Sequence, residues 1–225
     1  MAQQSLRERV LAAAAATPAK TRAEARRVGL ILIAASAGMA VTIFQAIGGI
    51  GHAAKRPLGI TIALGGGWIL VSIALTYLVL GRGKSSMGRR PFILAAAAAL
   101  APILVFVWMI LFYGTYPEPT FKMGYRCLGY TLLMSALPLG AFLALRRAVE
   151  PRYPAALGAA AGAACASWAG ALIDFWCPIT HPLHIVVGHV VPLTIAIAAG
   201  ALVGRFTLGA SRKDLRERNN SDPSS

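Results

Sequence analysis

Six long segments of the chain are almost entirely apolar, and short polar segments separate them. A helix that crosses the hydrocarbon core of a bilayer needs about 20 such residues, because each residue advances the helix by about 1.5 Å. All six segments have roughly that length. The pattern therefore predicts an all-α integral membrane protein, a bundle of six transmembrane helices over residues 29–50, 58–81, 91–113, 127–145, 155–176 and 185–206.

Two polar tails flank these segments. Residues 1–28 are rich in charges and are predicted to form a partly helical N-terminal tail, with a break at Thr17 and Pro18. Such a tail either lies along the membrane surface or docks a cytoplasmic partner, and the residues favour neither alternative. Residues 207–225 form a second tail, which is predicted to be partly disordered because of the polar stretch Asn219–Pro223.

The distribution of Lys and Arg predicts how the helices are oriented. The odd-numbered loops carry only Lys55, Arg56, Lys122 and Arg126 out of 22 such residues. The N-terminal tail, the even-numbered loops and the C-terminal end of the chain from Arg205 onward carry the rest. Basic loops remain on the cytoplasmic side of a bacterial inner membrane. Both termini are therefore predicted to be cytoplasmic, which agrees with an even number of spans.

The composition supports a membrane protein and argues against two other classes. The chain is 57% hydrophobic and 13% charged, whereas soluble domains are about 25% charged. Its net charge of +14 could suggest nucleic acid, but no stacking aromatic residues are interleaved with the basic ones, so no direct nucleic-acid binding is expected. No nucleophile elbow, Walker loop, zinc-protease motif or carboxylate pair occurs, and we therefore predict that the chain is not an enzyme.

The three cysteines are unevenly placed. Cys127 lies at the start of the fourth span and Cys177 at the end of the fifth. Both are therefore expected at the outer face of the inner membrane, which borders an oxidising compartment. Adjacent helix ends can come close enough for a disulfide. A Cys127–Cys177 bond and two unpaired buried thiols are equally compatible with the sequence. Cys165, near the middle of the fifth span, is interpreted as a small buried hydrophobic residue.

Three histidines follow near the same face. His181, His184 and His189 come after Cys177 with spacings that could bind zinc or copper, but the pattern is weak, and ordinary interface histidines are the simpler interpretation. His184 and His189 are five residues apart, and an α-helix would place them on different faces. A metal site is left open, and no cofactor is predicted.

Asp174 is the only acidic residue inside any span. An intramembrane carboxylate is costly unless it has a partner or a function, and His189, Arg126 and Lys122 are its candidate partners. Two alternative functions follow from these residues. One is a small membrane protein that binds a metal or, through His52 and His189, a haem for redox chemistry. The other is a small transporter that uses Asp174, which the near absence of midplane charge disfavours.

Several short motifs occur together within about residues 91–206. They are Arg126–Leu128, Pro138–Leu139, Leu145–Arg147, Gly158–Gly162, Phe175–Pro178, His189 and Gly200–Gly204. In combination they resemble the NrsF-type bacterial inner-membrane anti-sigma factors. The similar membrane anti-sigma regulators of carotenogenesis share the same six-span plan. The first two spans match only in hydropathy.

The resemblance implies a membrane-bound anti-sigma factor that holds an extracytoplasmic-function sigma factor at the inner membrane and releases it on an environmental signal. It also implies that two outer-face cysteines take part in sensing, and here these would be Cys127 and Cys177. Oxidation, metal and light all remain open as the stimulus. The basic residues of the N-terminal tail are candidates for docking the sigma factor: Arg7, Arg9, Arg22, Arg26 and Arg27.

Overall fold

The computed structural model describes residues 22–49, 56–80, 90–146 and 153–220. Every regular element in these ranges is helical, which confirms the all-α class for this part of the chain. A π-helical turn (Val186–Val190) joins the last two helices without a break. The helices are α1 (Arg22–Ala46), α2 (Leu58–Leu80), α3 (Pro91–Ile110), α4 (Tyr125–Arg146), α5 (Pro154–Trp176), α6 (Pro182–Ile185) and α7 (Val191–Asn220).

Part of the predicted N-terminal tail falls outside these ranges. Arg7, Arg9 and the helix expected before residue 22 lie outside the described residues. The side chains of Arg22 and Arg26 are also outside the description. Arg27 is described and is exposed near the start of α1. At the other end of the chain, α7 is helical through Asn220.

Within the part of the chain that the structure describes, five helices are long and apolar enough to cross a membrane, which indicates a multi-pass membrane protein. α1 differs from them, because its apolar part, Ala34–Ala46, is shorter and its first turns carry charged residues. A sixth span through α1 therefore stays a prediction. The five candidate spans are Leu58–Leu80, Pro91–Ile110, Tyr125–Leu145, Pro154–Trp176 and Pro182–Thr207.

Contacts between helix ends show how the helices run. Trp176, the last residue of α5, donates from its indole nitrogen to the carbonyl of Ile47, which directly follows α1 (2.9 Å). The loops 111–124 and 177–181 contact each other at the same end of the bundle. Consecutive helices therefore run alternately up and down. We call the end formed by these two loops the cysteine end; α1 begins and α7 ends at the opposite end.

The loops at the cysteine end are held together by hydrogen bonds between buried or half-buried groups. The hydroxyl of Tyr116 donates to the carbonyl of Pro178 (2.7 Å), and burial raises the pKa of this tyrosine above its usual value. The carboxylate of Glu118 accepts from the backbone N–H of Thr180 (3.1 Å) and from its hydroxyl. These bonds fix the segment that follows α5 against the loop that precedes α4.

α5 is the central helix of the bundle. Its most apolar stretch is 67% buried within the protein, compared with between 28% and 39% for the other four candidate spans. It contacts α2, α3, α4 and α7. Most of its residues are Ala or Gly, and such small residues let neighbouring backbones approach closely in a membrane, where packing rather than the hydrophobic effect drives helix association.

Two glycines of α5 allow its backbone to approach that of α7 closely. A Cβ atom placed on Gly158 would overlap the carbonyl of Gly200, and one placed on Gly162 would overlap the carbonyl of Ala196. The small-xxx-small spacing of Gly158 and Gly162 thus allows close helix packing, as the sequence indicates.

Gly162→Ala is expected to destabilise the folded protein by about 1–3 kcal/mol, because the added methyl group must displace the backbone of α7. Gly66→Ala in α2 is the matched control, since a Cβ atom there meets no atom within 4 Å. The denaturant midpoints of both variants in detergent micelles measure the difference. Equal midpoints would contradict this packing.

Candidate functional site

Four side chains converge at the cysteine end. Cys127 lies in the first turn of α4, Cys177 directly follows α5, His184 lies in α6, and His189 lies in the π-helical turn. The two sulfur atoms and one ring nitrogen from each histidine all lie within 4.8 Å of one another. All four residues are buried, with exposed fractions between 0% and 3%. We call this group the Cys2His2 cluster.

Both cysteines of the cluster are free thiols in this structure. Their sulfur atoms lie near the same ring nitrogen, Nε2 of His184, at 3.5 Å for Cys127 and 3.0 Å for Cys177. Of the two arrangements that the sequence left open, the structure contains the unpaired thiols. Because the sulfurs lie within 4.8 Å of each other, a small local movement is sufficient to bring them to bonding distance.

The other ring nitrogen of His184 shows how this side chain is held. Nδ1 lies 2.6 Å from the carbonyl oxygen of Lys122, and a carbonyl only accepts hydrogen bonds, so Nδ1 carries a proton. Nε2 is then the nitrogen that faces the two sulfurs. A histidine that donates Nδ1–H to a backbone carbonyl and presents Nε2 to its site has the usual arrangement of a metal ligand.

His189 reaches the cluster because the helix is locally widened. The expectation that His184 and His189 lie on different faces is wrong, since their ring centroids are 5.7 Å apart. Residues 186–190 form a π-helix, in which one turn contains an extra residue, so a spacing of five returns to the same face. Pro192 favours this widening, because it cannot donate a backbone hydrogen bond and its ring would clash with the carbonyl four residues earlier.

The imidazole of His189 lies in the interior of the protein, beside the sulfur atoms of the cluster. Its exposed fraction is 0%, and neither ring nitrogen has a hydrogen-bond partner among the described residues. Leaving a buried polar group unsatisfied costs about 1–3 kcal/mol. The ring packs near the indole of Trp68 (6.0 Å between centroids) on one side and faces the cluster on the other. An unsatisfied buried group of this kind points to a ligand or a function.

Two glycines bring α4 and the π-helical turn together. Gly124 precedes α4, and a Cβ atom placed on it would lie 2.6 Å from the Cα atom of Gly188 in the turn. A Cβ atom on Gly188 would in turn lie 3.1 Å from the Cβ atom of Cys127. Because no side chain separates these two backbones, Cys127 and His189 can share one site.

A buried ion pair adjoins the cluster. Nη1 of Arg56 lies 3.3 Å from Oδ1 of Asp174, and both side chains have an exposed fraction of 0%. Nη2 of the same guanidinium donates to the backbone carbonyls of Asp174 and Cys177. The carboxylate is therefore paired by Arg56 and not by any of the three partners that the sequence suggested. The guanidinium also connects the start of α2 directly to a cysteine of the cluster.

The electrostatics of Cys177 follow from its neighbours. The hydrogen bond with Cys127 holds the pKa of the Cys177 thiol well below its usual range, and the contact with His184 acts in the same direction, whereas burial opposes both. The thiolate is the nucleophilic and metal-binding form of cysteine. Cys177 is thus suited to bind a soft cation.

Two other residues that the sequence singled out, His181 and Cys165, do not belong to the cluster. His181 lies outside it and packs against the rings of Phe121 (4.5 Å between centroids) and Tyr113 (5.6 Å). Cys165 is half-buried within α5. Arg56 was missed by sequence reasoning, although one signal was available. Arg56 is among the few basic residues of the odd-numbered loops. A positively charged side chain in such a loop is unusual and suggests that it has a specific partner.

The donor set defines what the cluster can do chemically. Two sulfurs and two imidazole nitrogens suit zinc and other thiophilic cations, and two neighbouring thiols can be oxidised to a disulfide. A disulfide would link α4 to the end of α5, and a bound cation would in addition include α6 and the π-helical turn, since these elements supply the histidines of the cluster.

Comparisons with known proteins connect this architecture to a family. A profile of the family described as NrsF, negative regulator of sigma F, matches residues 11–209 of the chain. The match extends over α1 to α6, the π-helical turn and the first part of α7, and it includes the four residues of the cluster. A comparison with curated proteins finds no match, and neither does a comparison with solved structures.

Proposed function

We propose, because this chain belongs to the NrsF family of negative regulators of sigma F, that it is a membrane-bound anti-sigma factor. It sequesters an extracytoplasmic-function sigma factor at the bacterial inner membrane and releases it on an environmental signal. Family membership carries this proposal, and the five apolar helices support the membrane location. In this role the chain acts by binding, without enzymatic activity and without direct contact to nucleic acid.

The proposed topology has six spans and two cytoplasmic termini. The alternating direction of the helices supports it, because α1 begins and α7 ends at the end of the bundle opposite the cysteine end. The excess of Lys and Arg in the tails and even-numbered loops makes that end cytoplasmic. The Cys2His2 cluster then lies on the outer side, where an extracellular signal arrives first.

The proposed docking surface is the basic cytoplasmic end, including the tail arginines Arg7, Arg9, Arg22, Arg26 and Arg27. Positive groups of this kind attract an acidic partner surface and orient it on approach. α7 adds to this surface, because it continues from the end of its candidate span at Thr207 to Asn220 with further Lys and Arg residues. The exposed position of Arg27 is compatible with docking.

The proposed signal acts on the thiols of Cys127 and Cys177. A signal shifts a protein between two states only by as much as it prefers one of them, and a useful switch needs a few kcal/mol. The cluster supports such coupling because its side chains come from α4, the end of α5, α6 and the π-helical turn, while Arg56 connects α2 to Cys177. A bond formed at the cluster would thus reposition several helices that continue to the cytoplasmic end.

One alternative function has an observation in its favour. A small metal or redox protein would use the Cys2His2 cluster, although with Cys127 in place of the predicted ligand His181. A transporter is less well supported, because Asp174, the residue on which transport would depend, is already paired with Arg56.

Affinity purification of the full-length protein from detergent-solubilised membranes, followed by mass spectrometry, tests the anti-sigma proposal. A sigma factor is expected to co-purify with the wild-type protein. Replacing Arg7 and Arg9 by Ala is expected to lower its recovery by at least about tenfold, equivalent to about 1.4 kcal/mol, because the attraction to an acidic surface is lost.

Replacing the same two arginines by Lys is the matched control and should preserve most of the recovery, since the charge is retained. Recovery of the wild-type protein without any sigma factor would contradict the proposal, whereas recovery that is insensitive to the Ala substitutions would contradict only the docking surface.

A further inference from the structure

We propose that the Cys2His2 cluster is a four-coordinate binding site for a divalent thiophilic cation, of the class that includes Zn2+ and Cd2+. Cation binding as such requires no sigma factor. Its regulatory consequence rests on the function proposed above and names the ligand of that site.

The distances between the ligand atoms fit this assignment. Bond lengths of about 2.3 Å to sulfur and about 2.0–2.1 Å to nitrogen place tetrahedral ligand atoms about 3.3–3.8 Å apart. Nε2 of His184 lies 3.5 Å from the sulfur of Cys127 and 3.0 Å from that of Cys177. The full set of four ligand atoms lies within 4.8 Å. Small side-chain rotations are sufficient to close this arrangement around one cation.

Two independent features of the histidines support it. His184 donates from Nδ1 to the carbonyl of Lys122, which orients Nε2 into the cluster in the manner of a supported metal ligand. His189 is fully buried, and neither of its ring nitrogens has a hydrogen-bond partner among the described residues. A cation in the cluster would satisfy the nitrogen that faces the sulfurs and remove the cost of its burial.

Charge balance favours a divalent ion. Cysteine binds metals as thiolate, so cation binding displaces protons from the cluster, and no oxidation or reduction takes place. Two thiolates, two neutral imidazoles and one divalent cation have no net charge. The adjacent Arg56–Asp174 pair is also neutral as a unit. A monovalent cation with the same ligands would leave a net negative charge in a buried site, which is costly.

A bound cation would add direct bonds between elements that otherwise meet by packing and by the contacts of the two sulfurs with His184. Cys127 belongs to α4, Cys177 directly follows α5, His184 belongs to α6, and His189 belongs to the π-helical turn that continues into α7. The carbonyl of Cys177 is held by Arg56 at the same time. Occupancy of the cluster would therefore stabilise one arrangement of the helices at the outer end of the bundle. Because these helices continue to the cytoplasmic end, the surface that binds the sigma factor would be rearranged as well.

Titration of the purified full-length protein with Co2+ in detergent tests the site. One Co2+ per chain is expected to bind, with the strong visible absorption of tetrahedral cobalt and a thiolate-to-cobalt charge-transfer band, and Zn2+ should displace it. His189→Ala and Cys127→Ser are expected to weaken binding by about 100-fold or more, since even supporting residues of metal sites contribute 10- to 100-fold. His181→Ala and Cys165→Ser are the matched controls and should bind like the wild type, because neither residue belongs to the cluster.

Far-UV circular dichroism and size-exclusion elution establish that each variant is folded, so that a loss of binding in a folded variant supports the site. A weak, six-coordinate type of cobalt spectrum would overturn the proposal, as would undiminished binding in folded His189→Ala. Addition of Zn2+ and Cd2+ to the complex with the sigma factor separates the two proposals. Tetrahedral binding that leaves the complex unchanged would overturn only the regulatory role. Absence of any sigma factor from a cation-loaded protein would overturn the proposed function and leave the metal site intact.

Discussion

Arg56→Met is expected to destabilise the folded protein by about 3–5 kcal/mol, because the carboxylate of Asp174 then remains buried without its counter-charge. The carbonyls of Asp174 and Cys177 also lose the guanidinium that donates to them. Denaturant-induced unfolding in detergent micelles, followed by tryptophan fluorescence, measures the effect. A decrease of this size would establish that the ion pair holds the cysteine end together.

Arg126→Met is the matched control, because that side chain is exposed at the same end of the protein, and its effect should stay within about 0.5 kcal/mol. The double variant Arg56→Met/Asp174→Leu should recover much of the lost stability, since replacing a whole buried ion pair by apolar residues is often neutral. If Arg56→Met and Arg126→Met have equal midpoints, the buried pair does not contribute as described.

Replacing both Cys127 and Cys177 by Ser is expected to abolish induced release of the sigma factor while leaving its sequestration unchanged. In the wild type, Cd2+ or a thiol oxidant should raise transcription from a sigma-dependent promoter by about 5- to 150-fold, the range of ordinary allosteric coupling. In the double variant transcription should stay at the uninduced level, because serine neither forms a disulfide nor binds thiophilic cations. A promoter reporter assay in cells measures both quantities.

Cys165→Ser serves as the control for this experiment, since Cys165 lies within α5 and outside the cluster. It should respond like the wild type. A full response from the Cys127/Cys177 double variant would contradict a sensing role for these thiols. Constitutive transcription would instead indicate that the sulfurs are needed for the resting, sequestering state.

Hydropathy predicted most of the helical architecture, because a bilayer imposes a length and an apolar composition on each span. The predicted spans at residues 58–81 and 155–176 correspond to α2 and α5 within a residue or two. α1 is a less clear case, since it begins at Arg22, among charged residues, and its apolar part is short. The alternation of basic loops agrees with the alternating direction of the helices, while the identity of the cytoplasmic side stays a prediction.

The composition of the Cys2His2 cluster could not be predicted from spacing alone. An α-helical repeat separates His184 from His189, and only the π-helical turn before Pro192 brings them together. Cys127 joins the cluster through the close approach of Gly124 and Gly188, a long-range contact that no local pattern reveals. The pairing of Asp174 with Arg56 is likewise long-range, although an unexplained cation in an outer loop was a usable signal.

The central claim is that this protein holds a sigma factor at the membrane, and the location of the sigma factor in cells tests it most directly. Membrane and soluble fractions are prepared from cells with and without the protein, and the sigma factor in each is quantified by immunoblotting. We predict that most of the sigma factor sediments with the membranes when the protein is present and becomes soluble when it is absent, with a matching rise in transcription from its target promoter. A sigma factor that is equally soluble in both strains would contradict this account.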